Sequence, residues 1–198
     1  MKLVLKRLLW KSFCFVIMTS MTEPIKYTTN HKYELVDYST DWPEWFITES
    51  SIIEDIVGDV ALGIQHVGST AIPGMNAKPQ LDILMTVKNI SDIDAYNEPM
   101  NKAGYKVYGD VLNKGGRLFS RWNGVTKTVN LHVYQPDSPI VWEYIAVRDY
   151  LLANPDEALK YGAFKTDLYN KYPNDYLRYR KLKDPYMISL QKRIAALS

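Results

Sequence analysis

Hydrophobic positions recur along the chain with two periods, and the places where the period changes mark out its elements. Trp42, Trp45, Phe46, Ile52, Ile53, Ile56 and Val57 form a stripe at helical spacing. Asp41 suits the N-cap of that helix, Pro43 its first turn, where the missing donor costs nothing, and Gly58 its end. Ala61 to Val67 reads as a strand and Gln80 to Val87 as a second, strongly apolar one, with a Gly/Ser/Pro-rich loop from Gly68 to Pro79 between them. Period two puts Gln80, Asp82 and Leu84 on one face of the second strand and Leu81, Ile83 and Met85 on the other. Ser91 is placed to cap a short helix running to about Lys102, which Gly104 stops. Tyr105 to Gly109, Arg117 to Trp122 and Thr126 to Gln135 read as three more strands, with Asn123-Gly124 as a tight hairpin between the last two. From Asp137 onward the spacing is helical: Ser138-Pro139 opens one helix to about Ala153, Pro155 another to about Tyr172, and Asp184-Pro185 a last one to Ala196. This order predicts an α+β domain, a mixed sheet of about five strands flanked by helices, with a helical C-terminal half.

Composition narrows the class. With 198 residues, 46% hydrophobic and 23% charged, the chain fits one globular domain over residues 21–198 behind a short extension, and collagen-like, low-complexity and disordered classes are excluded. The extension, residues 1–20, is basic and then apolar, but Lys11 splits its apolar stretch and only Phe13 to Met18 runs unbroken, far short of a membrane span. Its start and centre match a signal peptide, whereas Thr19-Ser20 is a poor cleavage site. It reads as a disordered leader, or as sequence preceding a true start at Met21. The net charge of +2 is misleading, because Lys2, Lys6, Arg7 and Lys11 all fall in the extension and leave 20 basic against 22 acidic residues in the body. Such a body is no basic glove for nucleic acid, and no membrane partner is expected. The single cysteine, Cys14, also lies in the extension, so nothing in the body requires an oxidising compartment and a cytoplasmic location is expected.

Candidate chemistry concentrates in His66-Val67-Gly68-Ser69-Thr70-Ala71-Ile72-Pro73-Gly74 and Lys78-Pro79-Gln80-Leu81-Asp82-Ile83. A strand that ends in Gly-Ser exposes backbone N–H groups and a hydroxyl, a combination suited to phosphate oxygens. This pattern resembles the nucleotidyltransferase superfamily, in which a Gly-Ser turn is followed by two acids on the neighbouring strand that hold divalent metal against nucleotide phosphates. Here the turn stands at Gly68-Ser69 and the second acid at Asp82, but Gln80 occupies the first acid's place. Together with Asp41-Trp42-Pro43, Leu131-His132-Val133, Arg148-Asp149-Tyr150-Leu151, Pro155, Tyr161 and Lys165, these motifs make the chain similar to GrpB family proteins from about residue 33 to the C-terminus. The resemblance implies a nucleotidyltransferase-like fold, sometimes fused to dephospho-CoA kinase domains, with a poorly defined reaction of its own.

On this reading His66, Asp82 and His132 face one cleft and form a mixed imidazole and carboxylate site for Mg, Mn or Zn, with Asp82 and His132 as catalytic candidates; imidazoles favour Mn, Zn or Fe over Mg. Gly68, Ser69, Thr70 and Lys78 are candidate phosphate contacts, joined by Arg117 and Arg121, which lie four apart in a strand and so point to one face. Each has a structural alternative: Asp82 satisfied by loop donors, the histidines as core groups, the arginines on a solvated edge, and Arg148 and Lys165 as helix braces. Two functions follow. One is metal-dependent transfer of a nucleotidyl or phosphoryl group to a small molecule or protein; the other is binding of a nucleotide or CoA-like ligand without turnover. Gln80 favours the second and Asp82 the first.

Overall fold

The computed structural model describes residues 33–197, so the expectations for the leader and for the start at Met21 lie outside the described residues. Helix α1 (Trp42–Val57) precedes strands β1 (Ala61–Val67) and β2 (Leu81–Val87). A 3-10 segment (Ile90–Tyr96) leads into helix α2 (Asn97–Lys102), followed by β3 (Tyr105–Gly109), β4 (Arg117–Asn123) and β5 (Thr126–Tyr134). Helices α3 (Pro139–Ala153), α4 (Pro155–Lys171) and α5 (Tyr176–Leu197) complete the chain. The strand order is β1-β2-β5-β4-β3, with β2 and β5 parallel and every other pair antiparallel. This is the α+β architecture expected from the sequence, with its five-stranded mixed sheet and helical C-terminal half.

Alternation along the strands divides the labour between the two faces of the sheet. Leu81, Ile83, Met85 and Val87 of β2 join Val129, Leu131 and Val133 of β5 and Phe119 of β4 in one core, closed by Trp42, Ile53 and Val57 of α1 and by Ile93 and Met100. Burying such side chains stabilises the fold by about 1.5–3 kcal/mol each before entropy is counted. The opposite face carries Val67, Leu84 and Tyr134, against which α3 lays Ile140 and Val141. The three C-terminal helices then pack through Leu151, Tyr161, Leu190 and Ile194 onto Ile72 and Met75 of the loop after β1.

Local signals succeed where one residue type decides the geometry. Ser138 caps α3, its hydroxyl accepting from Ile140 N–H, and Pro139 and Pro155 open α3 and α4. Gly58 ends α1 at a φ of 54°, and Gly124 turns the β4–β5 hairpin at 57°. Three expectations are corrected. Asp41 makes no side-chain cap; its backbone N–H donates to Ser39 Oγ. The Ser91 helix is a 3-10 segment for most of its length and becomes α-helical only at Asn97. Asp184-Pro185 does not open the last helix but lies inside α5, with Pro185 exposed. A proline on the solvent side of a helix removes one backbone bond, and packing of the flanking turns by Tyr179, Leu190 and Ile194 carries the helix across it.

The core face also decides the two arginines of β4. Arg117 and Arg121 share a face as expected, but it is the face covered by α1 and α2. Arg117 makes a two-pronged pair with Asp94 at 2.7 Å per arm, and this bond holds the Asp94 carboxyl below its usual range. Arg121 donates to buried Glu49 at 3.0 Å and to the Ala103 carbonyl at 2.9 Å, while Glu49 also takes the Tyr105 hydroxyl. Removing one member of this set strands a charge with 3% side-chain exposure. Arg121→Met is therefore expected to lower stability by about 3 kcal/mol in urea unfolding.

Candidate functional site

The one acid on β2 lies on the face away from that core. Val67 of β1 and Asn130 of β5 are its register partners, so Asp82 stands between two strands at the floor of a cleft of about 760 Å³. β1 must turn there. Gly68 has a φ of 74°, and a Cβ at this position would meet Asp82 Oδ2 at 2.8 Å. Glycine is thus demanded twice, by backbone conformation and by the carboxylate packed against it.

Amides surround Asp82. Asn130 Nδ2 donates to Asp82 Oδ1 at 3.0 Å, and Gln80 Nε2 reaches the same oxygen at 3.4 Å. The Asn130 amide is fixed in that sense because its own oxygen accepts from Ser120 Oγ at 2.9 Å. His132 Nε2 lies 3.7 Å from Asp82 Oδ1 and 3.3 Å from the Tyr144 hydroxyl, and its Nδ1 is buried with no partner among the described residues. Burial alone would raise the Asp82 pKa, but the interactions with His132 and Asn130, with the charge of Lys78, hold it well below the ordinary carboxylate range. The group is ionised at any working pH.

The histidines expected to share the site are separated. His66 is in register with Ile83, on the core face, where its ring stacks on Phe46 at 4.9 Å and its Nε2 meets Thr70 Oγ1 at 2.9 Å. Burial pushes its pKa down to about 4 against the pull of Asp82, so the ring is neutral at pH 7. Thr70, 2% exposed, serves this contact rather than the cleft. Among the described residues no group of three His, Cys, Asp or Glu side chains is placed to hold a metal, and the expected His66–Asp82–His132 trio reduces to Asp82 with His132.

Cations gather above the floor instead. Lys78 donates to the Tyr176 hydroxyl at 3.0 Å, and Lys114, Arg148, Arg180, Lys181 and Lys183 line the cleft against Asp82, Glu143 and Asp184. Burial would raise the Tyr176 pKa, but Lys78, Lys183 and Arg180 lower it on balance, while Lys127 is lowered by burial and by the charges of Lys78 and Arg180. Arg148, read as a helix brace, reaches from α3 to Gln65 Oε1 and the His66 carbonyl as well as to Asp149. Sequence reasoning singles out Lys78; it misses Asn130, Tyr144, Arg180 and Lys181. The only sequence signal for Asn130 was its register opposite Asp82, and the register of a parallel pair is not written in either strand alone.

Against this geometry the comparisons with known proteins are specific. The family model described as GrpB protein matches residues 32–193. The chain belongs to the GrpB family. It is 38% identical over 157 residues to the Glutamate-rich protein GrpB of Alkalihalophilus pseudofirmus, covering 77% of this chain and 90% of that protein. The crystal structure of conserved protein GrpB from Enterococcus faecalis superposes with a TM-score of 0.78 at 27% identity, over 82% of this chain and 98% of that one. A more distant relative, a dephospho-CoA kinase of Mycolicibacterium paratuberculosis, is 26% identical over 178 residues, covering 76% of this chain and 44% of the longer protein. A GrpB-family sheet of this kind is consistent with a nucleotidyltransferase-like fold.

Two outcomes follow from the site. Gly68→Ala forces a left-handed φ on alanine and drives Asp82 off its amides, and should cost about 2 kcal/mol in urea unfolding. Lys165, 2% exposed, has its pKa lowered to about 7 by burial and by Lys183. The unfolded chain therefore holds a proton that the native state lacks between pH 7 and the ordinary lysine value of about 10.4, and stability gains with rising pH in that window. Measured from pH 7 to 9, wild type should gain stability relative to Lys165→Met.

Proposed function

We propose that this protein binds a phosphorylated, nucleotide-like small molecule in the cleft above Asp82. The observation that carries the reading is a cleft floored by the Asp82 carboxylate and lined by Lys114, Arg148, Arg180, Lys181 and Lys183, with Lys78 near enough to act on the same carboxylate, whose neighbours at the positions flanking it are the amides of Gln80 and Asn130. Clustered like charges repel across a partly desolvated cleft, and an anionic ligand is the group that would relieve them. Gly68 and Ser69 present the loop edge to the same space. The match to a dephospho-CoA kinase, a longer protein, puts CoA-like phosphoesters beside nucleoside triphosphates among the ligands to try.

A second reading rests on Asp82 itself. An ionised carboxylate 3.7 Å from an imidazole leaves two donors for a divalent ion carried in by the ligand phosphates, which would allow metal-dependent nucleotidyl or phosphoryl transfer. Two-metal chemistry of the superfamily type does not fit the donors present, because the Asn130 oxygen is engaged by Ser120 and the amides of Asn130 and Gln80 both donate toward Asp82.

The test is a thermal-shift panel on the full chain with ATP, GTP, CTP, UTP and CoA derivatives, each with EDTA, Mg, Mn or Zn. A ligand at a hundred times its Kd stabilises by about 2.7 kcal/mol, enough to read directly. A shift in EDTA that shrinks in Lys78→Ala and Lys183→Ala supports the binding reading. A shift that needs both nucleotide and metal and vanishes in Asp82→Asn replaces it with the transferase reading. No shift with any ligand overturns both.

A further inference from the structure

One buried amine is unused by the cleft as described so far. Lys165 of α4 is 2% exposed, yet its Nζ comes within 3.0 Å of Ser69 Oγ, and Ser69 lines the cleft beside Gly68 and Asp82. Its other hydrogen-bond partner is the Asn76 carbonyl, and the Tyr161 ring lies beneath it with the centroid at 4.9 Å. Both hydrogen-bonding partners are neutral oxygens, so no carboxylate among them compels the amine to be charged. The titratable groups that face it are Lys183 from α5, which adds positive charge, and Tyr161 from its own helix, whose pKa burial raises.

We propose that Ser69 is a nucleophile toward the phosphorus of a bound phosphoester or phosphoanhydride, with the Lys165 amine as its base. This rests on the cleft being a phosphate site and adds a reaction to it. A neutral lysine has two N–H bonds and one lone pair. In the protonated form Nζ donates to both oxygens; once the amine is neutral the Asn76 carbonyl keeps one N–H and the lone pair is left to accept from the Ser69 hydroxyl, whose other hydrogen-bond partner is Tyr161. A serine hydroxyl is a weak nucleophile until an adjacent base removes its proton, and a desolvated lysine is one of the groups that serves. Burial and Lys183 bring the Lys165 pKa down to about 7, so unprotonated amine is available at neutral pH.

In the step, the Ser69 Oγ–phosphorus bond forms as the bond from phosphorus to the leaving oxygen breaks. The hydroxyl proton passes to Lys165 Nζ, and the leaving oxygen departs with the bonding electron pair. The product is a phosphorylated Ser69 beside a lysine ammonium. Attack on the same phosphorus by water or an acceptor hydroxyl forms the new oxygen–phosphorus bond as the phosphorus–Ser69 Oγ bond breaks; the ammonium returns its proton to Ser69 Oγ, the attacking group releases its own proton to solvent, and the pair is restored. No oxidant or reductant enters.

The experiment uses diisopropyl fluorophosphate on the full chain between pH 6 and 9, with adduct mass and position read by mass spectrometry. A single adduct on Ser69 is expected, with a labelling rate that rises with pH through a midpoint near 7. Ser69→Ala should lose it. Lys165→Arg keeps charge and donors but cannot act as a base, and should slow labelling about 100-fold. If that variant does not fold, Lys165→Met makes the same comparison, and the wild-type pH profile stands by itself. Absence of a Ser69 adduct in folded protein, a pH-independent rate, or equal labelling in the folded Lys165 variant overturns the proposal. The probe contains no nucleotide, so a chain that shifts with nucleotide but is not labelled fails this inference alone, and one that is labelled without any nucleotide shift fails the binding reading alone.

Discussion

The rest of the site depends on one constraint: a carboxylate fixed on the second face of an otherwise apolar interior strand. Asp82 can sit there only because its neighbours have adapted to it. The turn after β1 gives up a side chain at Gly68, β5 supplies an amide at Asn130, and β4 supplies the Ser120 hydroxyl that keeps that amide pointing the right way. A half-buried charge without such donors is costly to keep, so β1 and β5 beside the acid and β4 behind Asn130 act as a set. The parallel pairing of β2 with β5 is what brings Asn130 level with it.

The sheet therefore has two faces governed by different rules. The α1 side is close-packed hydrocarbon, interrupted by Glu49 with its two partners, and its arginines are tied to nearby carboxylates. The other side is held open. Helices α3 to α5 lean on it at Ile140 and Val141 and otherwise pack on each other and on the loop after β1, which leaves space between helices and sheet where Lys183, Arg180 and Arg148 meet Asp82 and His132. A TM-score of 0.78 to the Enterococcus faecalis GrpB structure shows that this architecture is shared at 27% identity.

Element boundaries were legible wherever a proline, a glycine or a capping serine settles the backbone, as at Ser138-Pro139, Pro155 and Gly58. Pro185 shows the limit, since the same residue that opens one helix is tolerated inside another when its ring faces solvent and tertiary packing holds the flanking turns. Alternation likewise told which residues share a face but not which face is which. Arg117 and Arg121 share a face as their spacing predicts, but it is the α1 side and not the side that carries Asp82. His66 was grouped with Asp82 although the two lie on adjacent strands with opposite orientation, a relation set by the register of β1 on β2. Lys165 was read as a helix brace because nothing local in α4 shows that its end meets a loop 96 residues earlier in the chain.

The loop from Gly68 to Pro79 is held along its length. Gly68 is lodged against Asp82, Ala77 exchanges two backbone hydrogen bonds of 2.9 Å with Val36, and Asn76 is tied to α4 through its side chain, at Gly162 and Thr166, and through its carbonyl, at Lys165. Loops that contact phosphate often order only when the ligand arrives, and the entropy of that ordering is subtracted from affinity and slows capture. Here the ordering has been completed in folding, so the edge at Gly68 and Ser69 is a preformed wall, and a ligand bound against it would carry no cost of loop closure.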